Sequence, residues 1–264
     1  MNDDKRSELY DRIKQYEYKT EYKLEQKQPV IIRLDGKAFK TYTKNLDKPF
    51  DMDFSKAMEY VAYKLKEKID NVRFIYSQSD ELNLLLVDWT KDNTQSWFQY
   101  RIQKVVSTSS ALASVLFNEY IEKLSDKYYR VAQGLENDDS RKTDYLKRCN
   151  LWKSKKYKAS FDSRAFNLPM EEVCNYFTLR QQDAERNSKQ SLAHAYFSHN
   201  ELMNKTCDDM LYMLQKSYGI DYYALPSRQQ RGFALYKNED GNWIVDDELK
   251  IFGENPEFID KWLQ

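Results

Sequence analysis

Glycine and proline are scarce in this chain, six and five among 264 residues. So few turn-formers argue against a chain of many short strands and point to long helices. Cysteine is scarce too. Cys149, Cys174 and Cys207 are odd in number and widely spaced, which excludes a disulfide framework and any metal-binding spacing. A reducing, cytoplasmic setting is expected. No apolar run approaches the roughly 20 residues of a membrane helix, and the opening stretch MNDDKRSELYDR holds no signal-peptide core. The only histidines are His194 and His199. At i and i+5 they make poor joint ligands on a helix and read as packing or surface residues. No Ser-His-Asp set is evident, and nothing supports Cys207 as a nucleophile. Net charge is zero, with 42 basic residues against 42 acidic ones. Without a global basic field, any polyanion site must come from local patches.

What is present is an orderly alternation of apolar patterns. Residues 5–24 read as a helix. Val30 to Leu34 read as a buried strand ending at Asp35-Gly36. Residues 53–69 place Phe54, Met58, Val61, Ala62, Leu65 and Ile69 near the 3.6-residue period, with Asp53 as the expected cap. Residues 72–76 and 82–89 read as strands joined by the four-residue link QSDE. Residues 95–130 are helix-prone, 133–144 polar loop, 156–167 alternating strand, and 170–217 a long helical region. RQQRGFALYK reads as strand or loop, and NEDGNWIVDD as a hairpin around Asp240-Gly241.

Strand, helix, hairpin, helix, strand, helix predicts an α+β fold with a largely antiparallel sheet, opening as a ferredoxin-like βαββ unit. The length suits one core with extensions. A core over 1–132 and a C-terminal part over 145–264 packed on it, as one continuous domain, is the expected division.

The acids stand out in this layout. Asp35 ends the first strand, and Asp80 and Glu81 occupy the hairpin link, so a βαββ sheet brings all three to one edge. Acids packed together repel and shift one another's pKa unless a cation sits among them. Mg²⁺ is the natural occupant, and two such ions serve phosphoryl chemistry. Gly36 permits close approach to the backbone. Taken singly, Asp-Gly is an ordinary turn and Ser-Asp-Glu an ordinary exposed hairpin tip; it is their meeting at one sheet edge that favours a site.

RLDGKAF (33–39), KPFD (48–51), YSQSDELNL (76–84), FDSRAF (161–166) and LRQQDAERN (179–187) stand in this order along the chain. In order and spacing they resemble the tRNA-histidine guanylyltransferase family, and more closely its guanylyltransferase-like branch of 3′–5′ RNA polymerases. The resemblance implies a polymerase/cyclase-like palm with helical extensions. It implies activation of a tRNA 5′-monophosphate by ATP or GTP, attack by the 3′-hydroxyl of an incoming NTP, two Mg²⁺ ions, and a homotetramer holding tRNA. By position it makes Asp35, the Gly36 carbonyl and Asp80 metal ligands, with Glu81 a further catalytic acid. Lys37, Phe39, Lys40, Lys48, Asp51, Ser79, Arg101 and Lys104 fall to nucleotide binding. Arg101 and Lys104, three apart, are expected on one helix face. Arg164, Arg180 and Asn187 lie in motifs assigned to RNA. Lys153, Lys155 and Lys156, in WKSKKYK with Trp152 and Tyr157 interleaved, suit phosphate contact plus stacking. Arg228 and Arg231 form a second small cluster. For each lysine the plain alternative is a solvated surface or edge.

One departure bears on the reaction. Enzymes that add a single G to tRNA-histidine carry a His-Ile-Asn-Asn stretch after the Arg-Gln-x-Asp motif. Here that place reads ERNS, with Glu185 where the His would be. The resemblance therefore implies template-dependent 5′-end repair, with single-G addition as the alternative. A nucleotidyl cyclase would use the same pair of carboxylates, although QSDEL replaces the GGDEF-type hairpin. A non-catalytic RNA-binding module is the third reading, against which the intact Asp35, Asp80 and Glu81 stand.

Overall fold

The computed structural model describes residues 3–90 and 94–264. Six antiparallel strands form one sheet in the order β4-β1-β3-β2-β5-β6. They are β1 (Val30–Gly36), β2 (Val72–Gln78), β3 (Glu81–Leu86), β4 (Phe161–Asn167), β5 (Phe233–Lys237) and β6 (Trp243–Asp246). The helices are α1 (Asp3–Tyr18), α2 (Phe39–Tyr42), α3 (Met52–Lys68), α4 (Ile102–Gln133), α5 (Ser140–Lys153), α6 (Met170–Tyr196), α7 (His199–Leu202), α8 (Cys207–Tyr218), α9 (Ser227–Arg231) and α10 (Glu257–Asp260). Because β3 pairs antiparallel with both β1 and β2, those two run parallel with β3 inserted between them. That is the split βαβ unit predicted by the strand–helix–hairpin pattern. The C-terminal half adds β4 on one side and β5–β6 on the other, so both parts of the chain share the sheet.

Strand alternation sends successive side chains to opposite faces, and each face has its own core. Val30, Ile32, Leu34, Leu82, Leu84 and Leu86 pack with Phe54, Met58, Val61 and Leu65 of α3 and Val105, Leu116 and Phe117 of α4. Ile31, Phe74, Tyr76 and Leu85 pack instead on Val173, Phe177 and Ala184 of α6 and on Leu249, Phe252 and Ile259. The result is three layers. A satellite cluster holds the end of α6 to α8 through Leu192, Leu202, Met210 and Leu214.

Several boundaries differ from the periodicity reading, each for a local reason. Asp51, not Asp53, caps α3, its Oδ1 accepting from Phe54 N at 3.0 Å. The helix expected from residue 95 starts at Ile102, because Phe98, Gln99 and Tyr100 all take positive φ near 50°. The region 170–217 divides into α6, α7 and α8. Ser198 and Thr206 each start a new helix with a capping box, closed by Glu201 and Asp209. The 133–144 loop shrinks to 134–139, the strand over 156–167 begins only at Phe161, and RQQR forms the short α9. The hairpin link is two residues, Ser79-Asp80, rather than four. Glu81 lies within β3, opposite Gln78.

Candidate active site

The register places the acids. Asp35 stands opposite Glu81 on β3 and Asp162 on β4. Ser79 takes φ 49° at the first position of the two-residue turn, where mirror-image hairpin turns require positive φ and usually carry Gly. Asp80 follows, and its carbonyl accepts from Gly36 N at 3.2 Å. A Cβ on Gly36 would lie 2.8 Å from Asp80 Oδ2 and 2.4 Å from the Phe39 ring. Only glycine leaves room for that carboxylate against the end of β1.

The three acids have separate fates. Glu81 is 3% exposed and fully committed. Its Oε2 meets Arg33 Nη2 at 2.6 Å and Arg180 Nη1 at 3.3 Å, and its Oε1 accepts from Asn83 Nδ2 at 2.9 Å. Arg180 also pairs with Asp183, and the Tyr176 hydroxyl donates to Asn83. Asp35 and Asp80 have no ion-pair partner among the described residues. Burial, then the charge of Glu81, raises the Asp35 carboxyl above the usual range, with Arg33 opposing. Burial, reinforced by the charge of Asp35, pushes Asp80 up to about 6. The expected three-acid cluster is therefore a pair. Among the described residues no three acidic, His or Cys side chains are grouped as a metal cage. Two carboxylates without an ion-pair partner are a donor set that suits a hard cation keeping water or phosphate oxygens as its other ligands.

A cleft of about 880 Å³ opens beside this edge, between the α2–α3 segment and the α6, α7 and α9 wall. It brings together Lys40, Lys48, Asp51, Ser79 and Asn187, residues from three separate stretches of the chain. Gly232 makes the close fit at its floor: at φ 83°, a Cβ there would lie 2.1 Å from Ser77 O. His194 and His199, read from sequence as packing or surface residues, line the cleft with their rings stacked 6.2 Å apart.

Other residues named from sequence lie elsewhere. Lys37 is exposed just after Gly36. Phe39 is 3% exposed and packs among Tyr42, Phe54, Phe117 and Phe161, inside the core. Asp51 is engaged by the α3 cap and by Arg148 at 2.9 Å. Arg101 precedes α4 instead of sharing its face with Lys104; its backbone forms an isolated β-bridge with Lys23 and its side chain lies 3.8 Å from Glu21. Arg101 stands beside the Thr20–Leu24 stretch, and Lys104 follows in the first turn of α4. Lys153 is exposed, Lys155 is buried, and Lys156 pairs with Glu122 and Asp126. Arg164 is exposed on β4 opposite Arg33. Arg228 is 7% exposed at its side chain and is bound by Glu59 and Asp247, both at 2.6 Å, while Arg231 meets Glu185 at 3.2 Å.

Sequence reasoning missed Arg33, Asn83 and Tyr176, which hold Glu81 in place, and Arg148, which holds the KPFD loop. A signal for two of them existed. Arg33 and Asn83 sit two residues from Asp35 and Glu81 in strands that are otherwise apolar, so the period of two puts them on the acids' face.

An α+β protein with two unpaired carboxylates beside a lysine-bearing cleft has the parts of a phosphoryl- or nucleotidyl-transfer enzyme. The family model for tRNAHis guanylyltransferase, Thg1, matches residues 10–169. A structure of a bacterial Thg1-like protein in complex with ATP is 35% identical, with a TM-score of 0.82 over 97% of this chain and 99% of that one. A second such structure, in complex with GTP, is 32% identical, with a TM-score of 0.74 over the same shares. An uncharacterised protein of Acanthamoeba polyphaga mimivirus is 25% identical over 96% of this chain and 87% of its own length. The chain belongs to the tRNAHis guanylyltransferase family, whose members are nucleotidyltransferases. Among the described residues, no helix is long and apolar enough to cross a membrane.

Proposed function

We propose that this chain is a 3′–5′ nucleotidyltransferase that repairs the 5′ end of tRNA by template-dependent addition, after ATP or GTP activates the 5′-monophosphate. The observation that carries the reading is the meeting of Asp35 and Asp80 at one sheet edge, where Ser79, the residue before Asp80, lines a cleft shared with Lys40 and Lys48. ATP- and GTP-bound relatives of the same fold support it, and ERNS in place of His-Ile-Asn-Asn favours repair over single-G addition. On this reading the sheet is a polymerase/cyclase-like palm. The chain is a single continuous unit that works as a cytoplasmic homotetramer.

Asp35, the Gly36 carbonyl and Asp80 would hold two Mg²⁺ ions. Bound there, the ions would supply polarisation of the phosphoryl oxygens and easier deprotonation of the attacking hydroxyl. The chain's own groups do the rest. Lys40 and Lys48 neutralise triphosphate charge in the cleft. Arg33, Arg180 and Asn83 hold the Glu81 carboxylate in place beside Asp35, whose carboxyl its charge raises. Arg33 Nε is buried without a protein acceptor and offers a donor to a phosphate oxygen or water. The incoming 3′-hydroxyl attacks the activated 5′ phosphorus, and the activating nucleotide leaves.

The test is incubation with Mg²⁺, labelled ATP and a 5′-monophosphorylated tRNA lacking its first nucleotide. The expected result is an adenylylated 5′ end followed by extension, with Asp35→Asn and Asp80→Asn each losing at least about a thousandfold in rate. Folded wild-type protein that neither activates nor extends any of several tRNAs would overturn the reading. Cyclic product from NTP alone would replace it with a cyclase.

A further inference from the structure

The lysine-rich run at 153–158 does not act as a strip of equivalent cations. Lys155 points inward. Its ammonium donates to the carbonyls of Tyr42 and Lys44, the latter at 3.0 Å, and lies 5.1 Å from the centre of the Tyr42 ring. Lys156 is spent on Glu122 and Asp126. The buried Lys155 joins two segments far apart in sequence. Tyr42 OH donates back to Lys155 O at 3.4 Å, and Lys37 N donates to Ser160 O at 2.8 Å. The turn 37–44 is thereby fastened alongside 153–160.

The fastening gathers Lys37, Lys40 and Lys44 from one segment with Lys153 and Lys158 from the other. All five are exposed, and none has an ion-pair partner among the described residues. Three acids of the neighbourhood are already engaged, and Asp162 lies 3.8 Å from Arg164. Glu122 takes Lys156 and the Tyr157 hydroxyl, Asp126 takes Lys156, and Asp47 takes Arg148. In a chain of zero net charge, five unneutralised cations on two clasped segments form a local positive field. Lys37 lies two residues beyond Asp35, and Lys40 lines the cleft, so the field begins at the proposed reaction centre. Tyr157, 69% exposed, stands among them as a stacking surface.

We infer that Lys44, Lys153 and Lys158 form a basic ridge, continuous with Lys37 and with Lys40 at the nucleotide cleft, that seats the phosphate backbone of the RNA substrate and leads its 5′ end to Asp35 and Asp80. This rests on the proposed function for the identity of the substrate, but ridge binding is measurable without turnover. In the experiment, fluorescein-labelled tRNA is titrated with wild-type protein and with the triple variant Lys44→Gln, Lys153→Gln, Lys158→Gln, by anisotropy over a range of salt concentrations. A charge-matched control carries Lys205→Gln, Lys216→Gln and Lys237→Gln.

Loss of three phosphate contacts lowers the slope of log affinity against log salt by about two to three. The expected result is a dissociation constant roughly 10–100-fold weaker for the ridge variant, with the control near wild type and the KM for ATP unchanged. A ridge variant that keeps the wild-type slope and affinity overturns the inference, as does a control that loses as much. Loss of RNA binding in the ridge variant, alongside wild-type protein that binds tRNA but never extends it, sinks the proposed reaction and leaves the ridge standing. Tighter binding of an acidic polypeptide than of tRNA would assign the ridge to a protein partner and overturn the RNA assignment.

Discussion

At the scale of the residue, Asp80 has a testable cost. Its carboxyl is raised to about 6 in the fold, against about 3.9 in an unfolded chain. Between those values the folded state binds the proton that the unfolded state has lost. Stability therefore falls as pH rises from about 4 to 6, and the penalty persists above that range. Asp80→Asn removes the ionisable group. The variant is expected to melt higher than wild type at pH 7.5, by an amount on the order of 1–3 kcal/mol, and to match it near pH 4. Melting curves at the two pH values check this; equal melting at pH 7.5 would show that the carboxylate carries no such penalty. Glu81 contrasts with Asp80. With Arg33, Arg180 and Asn83 around it, Glu81 is a charge already paired, which makes it a support for the site and leaves Asp80 and Asp35 as the acids in want of a cation.

At the scale of the element, the segment before α3 is held by α5. Arg148 meets Asp47 at 3.1 Å, Asp51 at 2.9 Å and Asp53, while Tyr128 and Trp152 donate to Asp53 at 2.6 and 3.1 Å. Asp51 is thus both the cap of α3 and the anchor of the loop carrying Lys48 into the cleft. Arg148→Met leaves Asp51 and Asp53 without their partner, at a cost of about 3 kcal/mol in urea unfolding. It is also expected to raise the KM for ATP several-fold, because the loop loses its fixed position. Arg148→Lys should recover part of both effects. An unchanged KM in a destabilised Arg148→Met protein would separate the clasp from nucleotide binding.

At the scale of the whole molecule, zero net charge and a local basic ridge pose a question of area: one ridge is small for an RNA the size of tRNA. The proposed tetramer answers it by joining patches across subunits. Light scattering of the purified protein is expected to give about four times the mass of one chain, and a stable monomer that extends tRNA at the full rate would refute the requirement for assembly. The same scale shows why some residues named from sequence fell away from the site. Arg101 and Lys104 lie at the start of a 32-residue helix and outside the lining of the cleft.

The sequence by itself determined the first three strands as a βαββ unit and the gathering of Asp35, Asp80 and Glu81 at its edge. Local patterns carry that information: period-two and period-3.6 hydrophobicity, an Asp-Gly at a strand end, and an acidic hairpin tip. It also carried the family motifs. The tertiary structure decided which of three acids remained unpaired, because Arg33 and Arg180 reach Glu81 from different elements. It decided that Phe39 is core and that Asp51 is a cap. And it decided which lysines are free. Whether a charged side chain is buried, paired or solvated depends on neighbours that come together only when distant segments pack, and Lys155, buried against Tyr42 and Lys44, is the instance that no pattern within KSKKYK reveals.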